Sequence, residues 1–330
     1  MGSGKSPAAV PISLEWVDPA LLGMDPVNPA ATELMTWCAT ALGLLAIDPA
    51  NVRITITGDL VTSVQDRSTS DHHRENYDLR RSTGMVAAKT MDTPEGGHEV
   101  LMPHWMFDTD KTAEQRENCD ALVKRTIVHE AQHVVMSQAG ETADTYAAEP
   151  WARRNFLVVA QQVVDEYRAE SAVPLELRTH DSGWDCLDVL VTLRDDLRSI
   201  VYNYQTHLDV GRLSNEVGQE CQTAWKVFSY IAAERQTAGV ADQPLPDAVL
   251  ADPLWPRLVG EHWEEFSGIL ARIPSGLERI PAAELDLHVR DLATELQAWL
   301  ATIGYRFVDN DEGSSEFRIT HWDLHECDNA

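Results

Sequence analysis

The stretch from Asp108 to Gly140, "DTDKTAEQRENCDALVKRTIVHEAQHVVMSQAG", constrains the fold more than any other part of the chain. Its only helix breaker is the glycine at its end, so it reads as one long helix. Asp and Thr residues at its start offer side-chain oxygens to the N–H groups of a first turn, and Gly140 stands where a left-handed C-terminal residue belongs. Its second half is apolar on nearly every side: Ile127, Val128, Ala131, Val134, Val135 and Met136. Such a helix has to be buried, so the rest of the fold must wrap around it. Within that apolar run stand His129, Glu130 and His133. Buried polar groups without partners cost on the order of 2–7 kcal/mol, so these three need something to bind.

Residues four apart on a helix lie one turn apart on the same face, so His129 and His133 can present both imidazoles to one ion. Glu130 sits about 100° further round the axis, where its carboxylate can reach a water beside the ion rather than the ion itself. This is the HExxH pattern, in which two histidines bind Zn2+ and the glutamate acts as general base. The pattern also arises by accident on ordinary helices. It needs a third ligand and an open fourth position before it performs chemistry.

The next helical stretch, "WARRNFLVVAQQVVDEYRAES", begins after Pro150 and is stopped by Pro174. Val159, Val163, Glu166 and Glu170 fall on one stripe of it, so a face that begins by packing on a core ends in two carboxylates. That pattern fits Glu166 as third ligand and Glu170, one turn on, as hydrogen-bond acceptor from a ligand imidazole. The two could exchange roles, and glutamates that simply face water would give the same stripe. Glu141 and Glu149 lie in the turn between the helices and could reach the ion only through a strained loop. A third histidine downstream of HExxH is missing, because Met136 and Ala139 occupy the places where the extended motif has glycine and histidine.

HExxH followed by a helical ExxxE resembles the glutamate-zincin (gluzincin) class of zinc metallopeptidases, and "EYRAESAVP" is similar to the corresponding element of the soluble ImmA/IrrE-type peptidases. The resemblance covers roughly residues 52–177. It implies His129, His133 and Glu166 as zinc ligands, Glu130 as catalytic base and Glu170 as the acceptor behind a ligand histidine. Glu170 departs from the Asp or Asn usual there. The resemblance further implies that the strand before the active helix, in "HEVLMPHWMFD", is a sheet edge along which an extended peptide lies. Pro103 in that strand supports an edge, since proline cannot donate inside a ladder. An oxyanion-stabilising residue should follow the second helix; His180, Tyr202, Tyr204 and His207 are available, and none is singled out.

Before the long helix, residues 1–30 are rich in Pro, Ala and Gly and read as an irregular lead-in. Its "GSGKS" lacks the upstream glycine and feeding strand of a phosphate loop, and although "MGSGKS" fits a myristoylation pattern, a plain tail is the better reading. A short helix is expected in "ATELMTWCATALGLLAI". Alternation through "VRITITGDLVTSV" and on to Asp108 predicts a small antiparallel sheet of three or four strands, with "PEGG" turning a hairpin. Beyond Trp184 the pattern is mainly helical, "GVADQPLPDAVLADPLWP" is the best linker candidate, and "YRFVDNDEGSSEFRITHW" reads as a terminal hairpin. The class is therefore α+β, organised as a lead-in over 1–30, a zincin-like metallohydrolase domain over 31–180 and a mainly helical domain over 181–330.

Charge and cysteines limit the setting. A formal charge of -27 repels nucleic-acid phosphates and anionic membranes, which argues against both as partners and favours a protein or peptide substrate that is basic or neutral. Five scattered cysteines form no disulfide framework, and with no secretory signal the expected compartment is the cytoplasm. His72 and His73 read as solvated, His321, His325 and Cys327 as an unpartnered group, and Trp151, Trp184, Trp225, Trp255 and Trp263 as core anchors. The expected function is a zinc-dependent metallohydrolase, acting as a peptidase with Glu130 as base. The alternatives are a zinc enzyme for a small amide or ester, and a non-catalytic zincin-fold binding or regulatory protein. Oligomeric state is not legible.

Overall fold

The computed structural model describes residues 9–25, 32–69, 74–75, 77–81, 84–141, 146–178, 186–310 and 314–321. The lead-in motif over 1–8 and His72, His73, His180, Trp184, His325 and Cys327 lie outside the described residues. By its internal contacts the chain forms two compact units, Met1–Gly140 with Ala172–Ser182, and Glu141–Ser171 with Gly183–Ala330. The segment Glu141–Ser171, expected with the residues before it, therefore belongs to the second unit. Among the described residues no helix is long and apolar enough to cross a membrane.

The first unit is built on a four-stranded mixed sheet in the order β1 (Ile12–Glu15), β2 (Val52–Thr57), β6 (His98–Pro103), β5 (Lys89–Asp92). Together with two-residue strands β3 (Arg80–Arg81) and β4 (Gly84–Met85) and the helices below, this gives the expected α+β class. The sheet itself differs from the antiparallel one expected. β1, β2 and β6 run parallel, and only the β5–β6 hairpin, turned at "PEGG", is antiparallel. The reason lies in "GDLVTSVQDR", which reads as alternation but folds as helix α2 (Leu60–Arg67). Asp59 accepts the Thr62 N–H at 3.0 Å, and Leu60 and Val64 bury one turn apart. A helix after β2 lets the chain cross over and return in the parallel sense.

Two further corrections follow from the strand order. The lead-in is not wholly irregular, since Ile12–Glu15 pairs with Ile54–Thr57; four residues are too few for a period of two to stand out. The strand carrying Pro103 is not an edge: β6 lies between β2 and β5, with Pro103 at its last position opposite Thr57, where the ladder ends and a missing donor interrupts nothing. The edge on that side is β5.

Side chains on the sheet alternate between two faces. Val52, Ile54, Ile56, Val100 and Met102 pack against α1 (Glu33–Leu45) and α3 (Ala113–Gln138), through Met35, Cys38, Leu42, Val123, Ile127, Ala131 and Val134. α3 is the long helix expected from the sequence. Thr112 and Gln115 close a reciprocal capping box at its start, and Gly140 takes φ +70° after its end. The opposite face packs Leu101 against Leu60, Val64 and Tyr77.

The second unit is mainly helical. α4 (Trp151–Ser171) buries Phe156, Leu157, Ala160, Val163 and Val164 in this unit's own core, which explains its membership. α5 (Cys186–His207), α6 (Val210–Thr237), α7 (Asp247–Leu250), α8 (Trp255–Leu258), α9 (Trp263–Ala271) and α10 (Ala282–Thr302) follow, then the expected antiparallel hairpin β7 (Tyr305–Asp309) and β8 (Ser315–Ile319). Trp225, Trp255, Trp263 and Trp299 interlock with Phe228 and Phe266, as expected for Trp225, Trp255 and Trp263, whereas Trp151 is half-buried and packs on Phe307; the Trp299 indole N–H donates to the Leu258 carbonyl. The stretch expected as a linker instead contributes Leu245, Val249, Leu254 and Trp255 to this core.

Candidate metal centre

In the first unit α3 carries His129, Glu130 and His133. The spacing of four does what helix geometry dictates. The two Nε2 atoms lie 3.2 Å apart, with ring centroids at 5.0 Å and planes crossing at 67°. A tetrahedral zinc ion with nitrogen ligands at about 2.05 Å would hold two such atoms about 3.3 Å apart, so the pair has the separation a shared ion demands. One neutral imidazole can also donate to the other at this distance. Both rings are half-buried, and neutral imidazole nitrogens are a donor set suited to zinc.

Glu130 is 8% exposed. Its Oε2 accepts a hydrogen bond from the Thr90 hydroxyl at 2.7 Å, and the same hydroxyl lies 3.3 Å from the Glu130 carbonyl oxygen. Thr90 sits on edge strand β5 opposite Val100, on the sheet face that packs on α3, which is why it points at the helix. The Glu130 carboxylate is therefore held by a residue 40 positions away in sequence, which the pattern of α3 could not disclose.

In the second unit α4 carries the two carboxylates of the stripe. Glu170 is 3% exposed, so it is not a glutamate that faces water. Glu166 is half-buried: its Oε2 accepts from the Tyr230 hydroxyl at 2.6 Å, and Lys226 Nζ lies 3.5 Å from its Oε1. Lys226 and Tyr230 stand one turn apart on α6 in "AWKVFSYIAAERQ". A lysine and a tyrosine one turn apart within the mainly apolar run Ala224–Ala233 are the one signal that could have drawn attention to them.

Arg168, fully buried between these glutamates, fastens the end of α4. Its Nη1 lies 2.9 Å from Glu141 Oε2, its Nε donates to the Pro274 carbonyl at 3.1 Å and its Nη2 to the Glu278 carbonyl at 2.9 Å. Glu141 also accepts from the Ile280 N–H at 3.2 Å. Glu149 pairs with Arg290 at 2.7 Å. Both glutamates set aside as zinc ligands thus have structural partners of their own. Of the residues considered for an oxyanion role, Tyr202 is exposed on α5 and His207 Nδ1 accepts the Asp209 N–H at 3.0 Å. His321 Nε2 lies 2.9 Å from the Thr302 carbonyl oxygen.

Comparison with protein-family models, with curated proteins and with solved structures finds no match for this chain. The resemblance carried by HExxH and ExxxE therefore stands on those residues alone.

Proposed function

We propose that this chain is a zinc-dependent metallohydrolase that cleaves a protein or peptide bond. The observation that carries the reading is the convergence of the two Nε2 atoms at 3.2 Å beside a buried carboxylate. In this reading His129, His133 and Glu166 are the residues that hold the ion, and Glu170 accepts a hydrogen bond from a ligand imidazole. A zinc ion so held supplies Lewis-acid activation of a carbonyl and of a water molecule.

The chain's own groups do the rest. Glu130 accepts the proton of the attacking water on its carboxylate and returns it to the leaving amine. Thr90 fixes the carboxylate while it does so, and the burial of Glu130 keeps bulk water from competing for the proton. Among the described residues β5 pairs only with β6, so its outer side offers ladder hydrogen bonds to an extended peptide. The role the resemblance gave to the strand before α3 passes to the strand that bears Thr90. A cytoplasmic setting and a basic or neutral protein substrate accord with the charge and the cysteine usage.

The test is a broad peptide-library cleavage screen of the wild type beside Glu130→Gln. Cleavage by the wild type that falls by about 10²–10⁴-fold in the variant, the usual worth of a positioned acid–base group, is the expected result. Equal activity in both proteins would remove Glu130 from the chemistry. Stoichiometric zinc with no cleavage of any peptide would move the reading to a small amide or ester substrate, or to a binding protein.

A further inference from the structure

We infer that Tyr230 is the positioning residue for Glu166, an inference that rests on the zinc reading above. A lone glutamate side chain on a helix samples several rotamers, and a ligand that must be ordered when the ion arrives forfeits part of the binding free energy. Glu166 is anchored by the Tyr230 hydroxyl at 2.6 Å on Oε2, the short separation of an O–H donating to a charged acceptor. Lys226, one turn earlier on α6, adds a cation 3.5 Å from Oε1, beyond good hydrogen-bond length, so it contributes charge rather than direction.

The backbone on both sides of this contact is firmly set. On α4, Arg168 ties the turn that carries Glu166 to the carbonyls of Pro274 and Glu278, and the Gly276 N–H returns a bond to the Arg168 carbonyl at 2.9 Å. On α6, the neighbours of Tyr230 are core residues: Phe228 is fully buried, and Val227 and Ile231 pack in the same cluster. A phenol on a fixed helix therefore holds a carboxylate on a fixed helix. That arrangement selects one rotamer of Glu166 in advance of metal binding. Tyr230 is a neutral donor, so the bond that directs Glu166 Oε2 does not itself neutralise the carboxylate.

The experiment is a double-mutant cycle on zinc affinity, read by competition with a chromophoric chelator, in the wild type, Tyr230→Phe, Glu166→Ala and the double variant. Melting of each metal-free protein reports on the fold. Loss of a partner of this kind lowers metal affinity by about 10–100-fold, and that loss is expected for Tyr230→Phe in the presence of Glu166 and is expected to vanish in its absence. An unchanged affinity in Tyr230→Phe overturns the inference and leaves the zinc reading intact. So does an equal loss with and without Glu166, because Tyr230 would then act through the fold and not through this carboxylate. A wild type that takes up no zinc overturns both.

Discussion

The first unit buries polar groups on both faces of one sheet, and the two faces solve the problem in opposite ways. On the face covered by α2, Glu99 is surrounded by donors: Arg53 Nη2 at 3.0 Å and Arg67 Nε at 2.8 Å on one oxygen, Thr55 Oγ1 at 2.5 Å on the other. Arg67 also reaches Glu15 at 2.5 Å, and Ser63 bridges Glu15 and Thr57. Acids and bases are matched there, and the cluster closes on itself. On the face covered by α3, two imidazole nitrogens converge at 3.2 Å, beside a carboxylate that accepts from a neutral hydroxyl. Saturated charge is the mark of a structural network. Like groups brought together at the separation of a shared ligand sphere fit the proposed metal site.

The two faces should respond to different insults. Arg67→Met leaves Glu99 and Glu15 short of a cation and should cost about 3 kcal/mol in stability, measured by urea unfolding, while zinc uptake per folded molecule is unchanged. A loss of zinc without a loss of stability would reverse the assignment of the two faces. Acid should find the same network. Burial alone would raise the Glu99 carboxyl, but the hydrogen bonds from Arg67, Arg53 and Thr55 outweigh it and hold the group at about 2, against an ordinary 4.5. A carboxyl whose pKa is depressed by folding contributes stability above its unfolded value and loses it as pH falls through the folded one. Stability should therefore decline between about pH 4.5 and about pH 2, and Glu99→Gln should flatten that slope; an identical slope in the variant would assign the acid lability to other groups. The smallest effect belongs to the hydroxyl that orients the proposed base. Thr90→Val removes one hydrogen bond worth about 1 kcal/mol, so peptide cleavage should slow by about fivefold with zinc content unchanged.

What the sequence disclosed was local, and what it hid was long-range. Thr112 and Gly140 bracket α3 through bonds made within a few residues, and "PEGG" turns its hairpin by the same short reach. His129 and His133 meet because helix geometry is invariant. By contrast, the place of β6 in the sheet depends on where β1 and β5 dock, which no periodicity within "HEVLMP" encodes, and Pro103 pointed the wrong way because it stands at the end of the ladder. "GDLVTSVQDR" alternates well enough to pass for a strand until the Asp59 cap is given its weight. Thr90 and Tyr230 hold Glu130 and Glu166 across 40 and 64 residues of chain, so the carboxylates proposed as base and ligand stood out in the sequence and the groups that hold them did not.

α3 is the proposed holder of zinc, and the sheet network is not. Elemental analysis of the purified protein, with His129→Ala, His133→Ala and Glu130→Gln measured alongside, addresses it directly. The account predicts one zinc per chain in the wild type and in Glu130→Gln, and loss of the metal in either histidine variant while the fold persists. A wild type free of zinc after exposure to the metal, or histidine variants that keep it, would contradict the account.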